Sequence, residues 1–183
     1  GVSDPKTLNF ILNHDHKPMM IGFITNYKKS RRFVECEKLK DLINLDKKQV
    51  NFVSVLVNPN DEILEKIKDF NFDYYQLYDV SPERTKEIKS RFRKKIITAL
   101  TISNKNDVIK YKDYLMISDI ILFDSKGYDK SESFDHSLLA NLPNELNKMI
   151  AGNIQIDDIP KFENEDFIVD LSGSLEDQHG KKD

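Results

Sequence analysis

The chain has 183 residues, of which 28 are Lys or Arg and 31 are Asp or Glu, giving a net charge of −3. A single cysteine excludes an internal disulfide framework and a cysteine-rich zinc module, and the near-balance of charge argues against a dedicated nucleic-acid binder. With 39% hydrophobic and 32% charged residues and no apolar run near the ~18 residues of a membrane span, the composition predicts a soluble, cytoplasmic protein with no membrane partner.

The elements alternate along the chain. A helix is expected first: Asp4 is placed to cap it, Pro5 suits its first turn, and Leu8, Ile11 and Leu12 form one apolar stripe. The apolar run from Met19 to Ile24 reads as a strand covered on both faces, followed by a basic loop from Tyr27 to Phe33. A helix carrying Leu39, Leu42 and Ile43 precedes the strand from Phe52 to Val57. A helix opening after Asn60-Asp61 precedes the strand from Phe72 to Tyr78. Ser81 and Pro82 start a helix that precedes the strand from Lys95 to Leu100. A helix from about Asn106 to Met116 then precedes Ile120 to Asp124. Beyond a polar loop, Ser125 to Ser133, a helix is expected over Phe134 to Leu142 and a strand over Lys148 to Ala151. A short helix near Ile156 to Phe162, a last strand from Phe167 to Leu171 and a polar, solvated tail complete the chain.

Seven strands separated by helical segments predict a parallel sheet with right-handed crossovers. An open doubly wound sheet and a (β/α)8 barrel both satisfy this pattern. The helix-first start and strand-last end predict the α/β barrel, as one domain over residues 1–183 that lacks the barrel's first strand and last helix.

In a barrel the chemistry sits at the C-terminal ends of the strands. Asp124 ends the most apolar strand, where a carboxylate loses solvation unless it is used or paired. Arg31 and Arg32 follow the first strand, and one guanidinium can grip a carboxylate or phosphate with two parallel hydrogen bonds, although a solvated basic loop fits the charge equally. Ala151-Gly152-Asn153 and Ser172-Gly173-Ser174 follow the last two strands, where small residues let backbone N–H groups approach an anion. Cys36, on a helix among charged residues, reads as a bystander. His14 and His16 lack further metal ligands nearby, and His136 is expected to pack or cap.

These residues together resemble the phosphoribosylanthranilate isomerase family of tryptophan biosynthesis. The family's I-G-F followed by K-S-x-R-x-V stands as Ile21-Gly22-Phe23 and Lys29-Ser30-Arg31-Arg32-Phe33-Val34. Its V-N pair is Val57-Asn58, its Q-L pair Gln76-Leu77, and its L-L-D strand end Leu122-Phe123-Asp124. F-D-W appears as Phe134-Asp135-His136 and A-G-G as Ala151-Gly152-Asn153. D-V-S-S-G-V-E and G-x-K-D appear as Asp170 to Glu176 and Gly180 to Asp183. The sequence departs from the family at Tyr78-Asp79, where it has H-G, at Thr98-Ala99, where it has K-A, in the loop Gly127 to Ser133, and at Asn153.

The resemblance implies an Amadori rearrangement of a phosphosugar-anthranilate substrate, with no metal or organic cofactor. It assigns Asp124 as general acid and expects the general base, a cysteine, just before Gly1. It assigns Arg32 to the anthranilate carboxylate, the backbone near Gly152, Asn153, Ser172 and Gly173 to the phosphate, and Asp170 to the vicinity of the sugar. Three other readings stay open. One is a phosphosugar-binding relative without activity. Another is a receiver-like signalling domain with Asp124 as phosphoacceptor, which has fewer strands. The third is a flavodoxin-like open sheet.

Overall fold

The computed structural model describes residues 1–125, 133–163, 165–176 and 182. All of its α-helices except the second begin where a short polar side chain satisfies the first free N–H groups. Helix α1 (Pro5–Asn13) is capped by Asp4, which accepts from the Thr7 amide at 2.9 Å. Helix α2 spans Cys36–Ile43. Asn60 caps α3 (Asp61–Ile67) and Ser81 caps α4 (Pro82–Phe92), accepting from the Ile63 and Arg84 amides at 3.0 and 3.3 Å. Helix α5 (Lys105–Ile109) opens on a reciprocal capping box between Asn104 and Asp107.

Between them run β1 (Met20–Ile24), β2 (Asn51–Val57), β3 (Tyr74–Tyr78), β4 (Lys95–Ile102), β5 (Ile120–Ser125), β6 (Lys148–Ile150) and β7 (Phe167–Val169). All pair in parallel, and their order across the sheet is β1 to β7 without a reversal. A doubly wound sheet reverses its order at a switch point. The unreversed order belongs to a barrel, here a curled half-barrel of seven strands.

The two-residue period of the strands sorts side chains onto two faces. Val53, Tyr74, Tyr78, Ile97, Leu122 and Met149 cluster on the inner face. On the outer face, Phe52, Leu56, Tyr75 and Ile96 pack against Leu8, Leu39, Leu64 and Ile88 of α1 to α4. A second outer cluster joins Leu100, Ile121 and Phe123 to Tyr111, Tyr114, Leu139 and Phe162. No helix among the described residues is long and apolar enough to cross a membrane.

Several expected elements are corrected. The strand at Met19 to Ile24 is not covered on both faces: Met19 is half exposed, and β1 alternates half-buried with buried positions. The helix expected to reach Met116 changes after Ile109 into a 3₁₀ turn, Lys110–Tyr114. Residues three apart eclipse in that geometry, which brings Tyr111 and Tyr114 into the same core, where the Tyr114 hydroxyl donates to the Val80 carbonyl at 2.7 Å. Instead of a helix over Phe134 to Leu142 there is a 3₁₀ turn, His136–Leu139, because Pro143 disfavours helical geometry at the residue before it. The segment Ile156–Phe162 is also 3₁₀, with Pro160 inside it. Strand β7 stops at Val169 because its partner β6 is only three residues long, and the Asp170 amide makes the last bond, to the Ile150 carbonyl at 2.8 Å.

The tail is not simply solvated. Lys182 Nζ donates to the Ser172 carbonyl at 2.6 Å and to Glu176 Oε1 at 2.8 Å, and these two side chains are only 12% and 14% exposed. Gly180, Lys181 and Asp183 lie outside the described residues, as does most of the loop Ser125 to Ser133.

Helix α4 ends on Arg93, an exposed residue at φ 52° whose amide donates to the Lys89 carbonyl. That left-handed position favours glycine. Arg93→Gly should therefore raise the stability by up to about 1 kcal/mol, read as a higher urea midpoint with an unchanged slope.

Candidate active site

The ends of the strands open into a cavity of about 910 Å³, bounded on one side by Met20, Gly22 and Ile24 of β1 and on the other by Ile168 and Asp170 at β7. Asp124 and Arg32 lie on its wall, as do Gly152, Asn153, Ser172 and Gly173. The structure therefore brings Asp124, Arg32, Asp170 and the Gly152, Asn153, Ser172 and Gly173 turns into one space.

Asp124 sits next to the end of β5, after Ile121, Leu122 and Phe123, which are nearly or fully buried. Burial is the largest influence on its carboxyl and pushes its pKa from 3.8 up to about 6; the nearby Asp170 charge adds to the rise. Hydrogen bonds oppose it: the Tyr78 hydroxyl gives one to Oδ2 at 2.8 Å, the Ser125 amide gives one to Oδ1 at 2.7 Å, and the Ser125 side chain acts in the same direction. Tyr78 in turn accepts from Gln76 Nε2 at 3.1 Å, and both side chains are buried on the cavity wall. Sequence reading did not find Tyr78 as a partner of Asp124. The available signal was its place at the end of β3, two residues after Gln76 and so on the same face.

Arg32 follows the loop after β1. Its Nη1 donates to Ser172 Oγ, and its Nε lies 3.4 Å from Glu176 Oε1. Glu176 also takes the Lys182 ammonium, so two cations share one carboxylate at the rim. Burial lowers the Lys182 pKa, and the bond to Glu176 acts against that. Arg31 is exposed and is not among the cavity residues.

The turns after β6 and β7 form the third part of the site. Gly152 and Asn153 have φ of 96° and 54°, two successive left-handed residues. Among the described residues, the backbone amides of Gly152, Asn153, Ser172 and Gly173 donate to no other protein group. Ser174 Oγ is buried without a partner as well. Successive amides left open on a concave wall can receive an anion. A Cβ on Gly152 would lie 3.1 Å from Phe134 Cδ1 and 3.4 Å from Ser125 Cβ, at a backbone angle that side chains rarely adopt. Gly152→Ala should lower stability by roughly 1–2 kcal/mol in a thermal or denaturant melt and weaken anion binding at the turn.

The positions where the sequence departs from the resemblance fall in different places. Asp79 stands where the family has glycine, at φ 54°, a region that Asp enters more readily than most residues. Thr98 is buried but is not a cavity residue, and its hydroxyl shares a 2.5 Å hydrogen bond with Ser118. His136 packs edge-on between Phe134 and Phe162. Cys36 is buried in the outer core, with Lys66, Glu37 and Glu35 near its thiol, and is not a cavity residue. His14 and His16 are exposed, and among the described residues no group of three His, Cys, Asp or Glu is arranged to hold a metal ion.

Residues 2–183 match the family model described as N-(5'phosphoribosyl)anthranilate (PRA) isomerase. The N-(5'-phosphoribosyl)anthranilate isomerase of Rhizobium rhizogenes is 30% identical over an alignment covering 100% of this chain and 86% of that protein. That of Staphylococcus haemolyticus is 33% identical, with 90% and 82% covered. A crystal structure of phosphoribosyl anthranilate isomerase from Thermotoga maritima has a TM-score of 0.85 at 23% identity, covering 100% of this chain and 89% of that one. Another, of a phosphoribosyl anthranilate isomerase in complex with reduced 1-(o-carboxyphenylamino)-1-deoxyribulose 5-phosphate, has a TM-score of 0.82 with the same coverage.

Proposed function

Because the chain belongs to the N-(5'-phosphoribosyl)anthranilate isomerase family, we propose that its cavity carries out that isomerisation, a step of tryptophan biosynthesis. The observation that carries this reading is the placing, in one cavity, of a carboxyl group poised near neutrality and a cradle of unpartnered amides.

The substrate is an aminoaldose in its ring form. Asp124 gives its proton to the ring oxygen as the C1′–O bond breaks, and the nitrogen lone pair forms a C=N bond at C1′. A base then takes the proton from C2′; the C–H electron pair forms the C1′=C2′ bond and the C=N π pair returns to nitrogen, giving an enamine. Tautomerisation of the resulting enaminol gives the aminoketose. With a pKa of about 6, Asp124 is protonated in roughly a tenth of molecules at pH 7. An ordinary aspartate would be protonated in fewer than about one in a thousand. The base implied by the family resemblance is a cysteine directly ahead of Gly1, and Gly1 lies on the cavity wall. Arg32 grips the anthranilate carboxylate, Asp170 lies beside the sugar, and the amides of Gly152, Asn153, Ser172 and Gly173 receive the phosphate.

The test is genetic and direct. The full-length protein should restore growth without tryptophan to a bacterium lacking this isomerase, and the purified protein should turn over N-(5′-phosphoribosyl)anthranilate. Binding of the product analogue with no turnover would replace the reading with that of an inactive phosphosugar-binding relative.

A further inference from the structure

We propose that Tyr78 is a positioning residue for this isomerisation, its hydroxyl fixing the Asp124 carboxyl in the orientation from which it protonates the ring oxygen. The inference rests on the assignment of Asp124 as the acid. Tyr78 is 8% exposed on the cavity wall, where an unpaired hydroxyl would be costly. Both capacities of that hydroxyl are used. The Gln76 amide nitrogen can only donate, so the Tyr78 oxygen accepts from it and directs its own hydrogen to Asp124 Oδ2.

The platform beneath is rigid. Tyr78 closes β3, where its backbone is in register with Val57 of β2 and Ala99 of β4. Gln76 stands two residues earlier on the same face. With Tyr78 on Oδ2 and the Ser125 amide on Oδ1, both torsions of Asp124 are set.

Tyr78 does not itself supply a proton. Burial, and next the Asp124 charge, push its phenol well above its ordinary pKa. It is therefore a neutral donor across the working range of pH. The charged group that faces both Tyr78 and Asp124 is Asp170, next to the end of β7, which raises the pKa of each. The other contacts of the Asp124 carboxyl, Ser125 and Tyr78 itself, are uncharged. Arg32 and Lys182 stand on the wall of the same cavity, and both pair with Glu176.

The hydrogen bond favours the ionised carboxyl, so its loss should raise the pKa of Asp124. In full-length Tyr78→Phe, the Asp124 carboxyl, followed by ¹³C NMR and assigned with Asp124→Asn, should titrate about one pH unit higher. The alkaline limb of kcat/KM should move up by the same amount. Loosened aim should lower kcat about tenfold while KM stays within about twofold. Gln76→Leu should move the titration the same way by less, and Tyr78→His, whose ring N–H can donate, should bring it back toward the parental value.

An unmoved titration midpoint in folded Tyr78→Phe, or in Gln76→Leu if the first variant fails to fold, would overturn the proposal. A loss confined to KM would also overturn it. These results are separable from failure of the acid assignment. Near-parental turnover in Asp124→Asn would remove Asp124 from the mechanism, and with it the positioning role.

Discussion

Asp124→Asn in the full-length protein is expected to lower turnover by roughly 10²–10⁴, the usual contribution of a positioned general acid. The amide keeps the volume, but its single acceptor oxygen can take only one of the two bonds given by Tyr78 and the Ser125 amide, and it has no acidic proton to transfer. Affinity for a product analogue should therefore change little. A pH profile gives the sign independently. The acid must be protonated, so parental kcat/KM should fall as pH rises through about 6.

Stability should move the other way. The folded carboxyl binds its proton more tightly than the unfolded one, so folding stability falls as pH rises from about 4 to about 6 and stays lower above that. Asn has no such penalty. Relative to the parent, the variant should gain up to roughly 3 kcal/mol between pH 4 and pH 8 in denaturant melts. A residue that improves folding when removed while turnover collapses is held for chemistry and not for structure. Equal turnover in parent and variant would exclude Asp124 as the acid.

The half-barrel was legible in the sequence because its determinants are local. Capping residues such as Asp4, Asn60 and Ser81 precede apolar stripes, and the buried strands are continuous runs such as Ile120 to Phe123. The strand order followed from uniform alternation, since right-handed crossovers leave few topologies. The 3₁₀ segments were less legible. Whether Tyr111 and Tyr114 lie on an α or a 3₁₀ turn is decided by a shared core that residues distant in sequence complete.

The candidate site divides along the same line. Asp124, Arg32 and the Gly152 and Ser172 turns could be selected because strand ends are where a barrel places its chemistry. The partners that tune them could not. Tyr78 and Asp124 are 46 residues apart; the strand-end place of Tyr78 points its side chain toward the site, but only the fold pairs it with Asp124. Glu176 and Lys182 looked like solvated tail charges. Glu176 is paired by Arg32 from 144 positions earlier, a contact that only the folded chain makes.

Arg32→Ala should weaken ligands that carry the anthranilate carboxylate by about 1.5–3 kcal/mol, or roughly 10- to 150-fold in Kd. A guanidinium has five N–H donors in a fixed fork. In the structure Ser172 takes one donor and Glu176 lies against Nε, so part of the fork is left for a ligand in the cavity. Glu176 keeps the Lys182 ammonium when Arg32 is removed, so the rim retains a paired carboxylate and the fold should hold. Three comparisons isolate the carboxylate contact. An analogue lacking the carboxylate should bind parent and variant with similar affinity. Arg32→Lys should recover only part of the loss, because a point charge cannot reproduce two parallel bonds. Arg31→Ala should matter less, since Arg31 is exposed and outside the cavity. Calorimetric titration of the product analogue into the variants measures each term. If Arg31→Ala lost more affinity than Arg32→Ala, the carboxylate would be held from a different register of this loop, and the pairing of Arg32 with Ser172 and Glu176 would be structural alone.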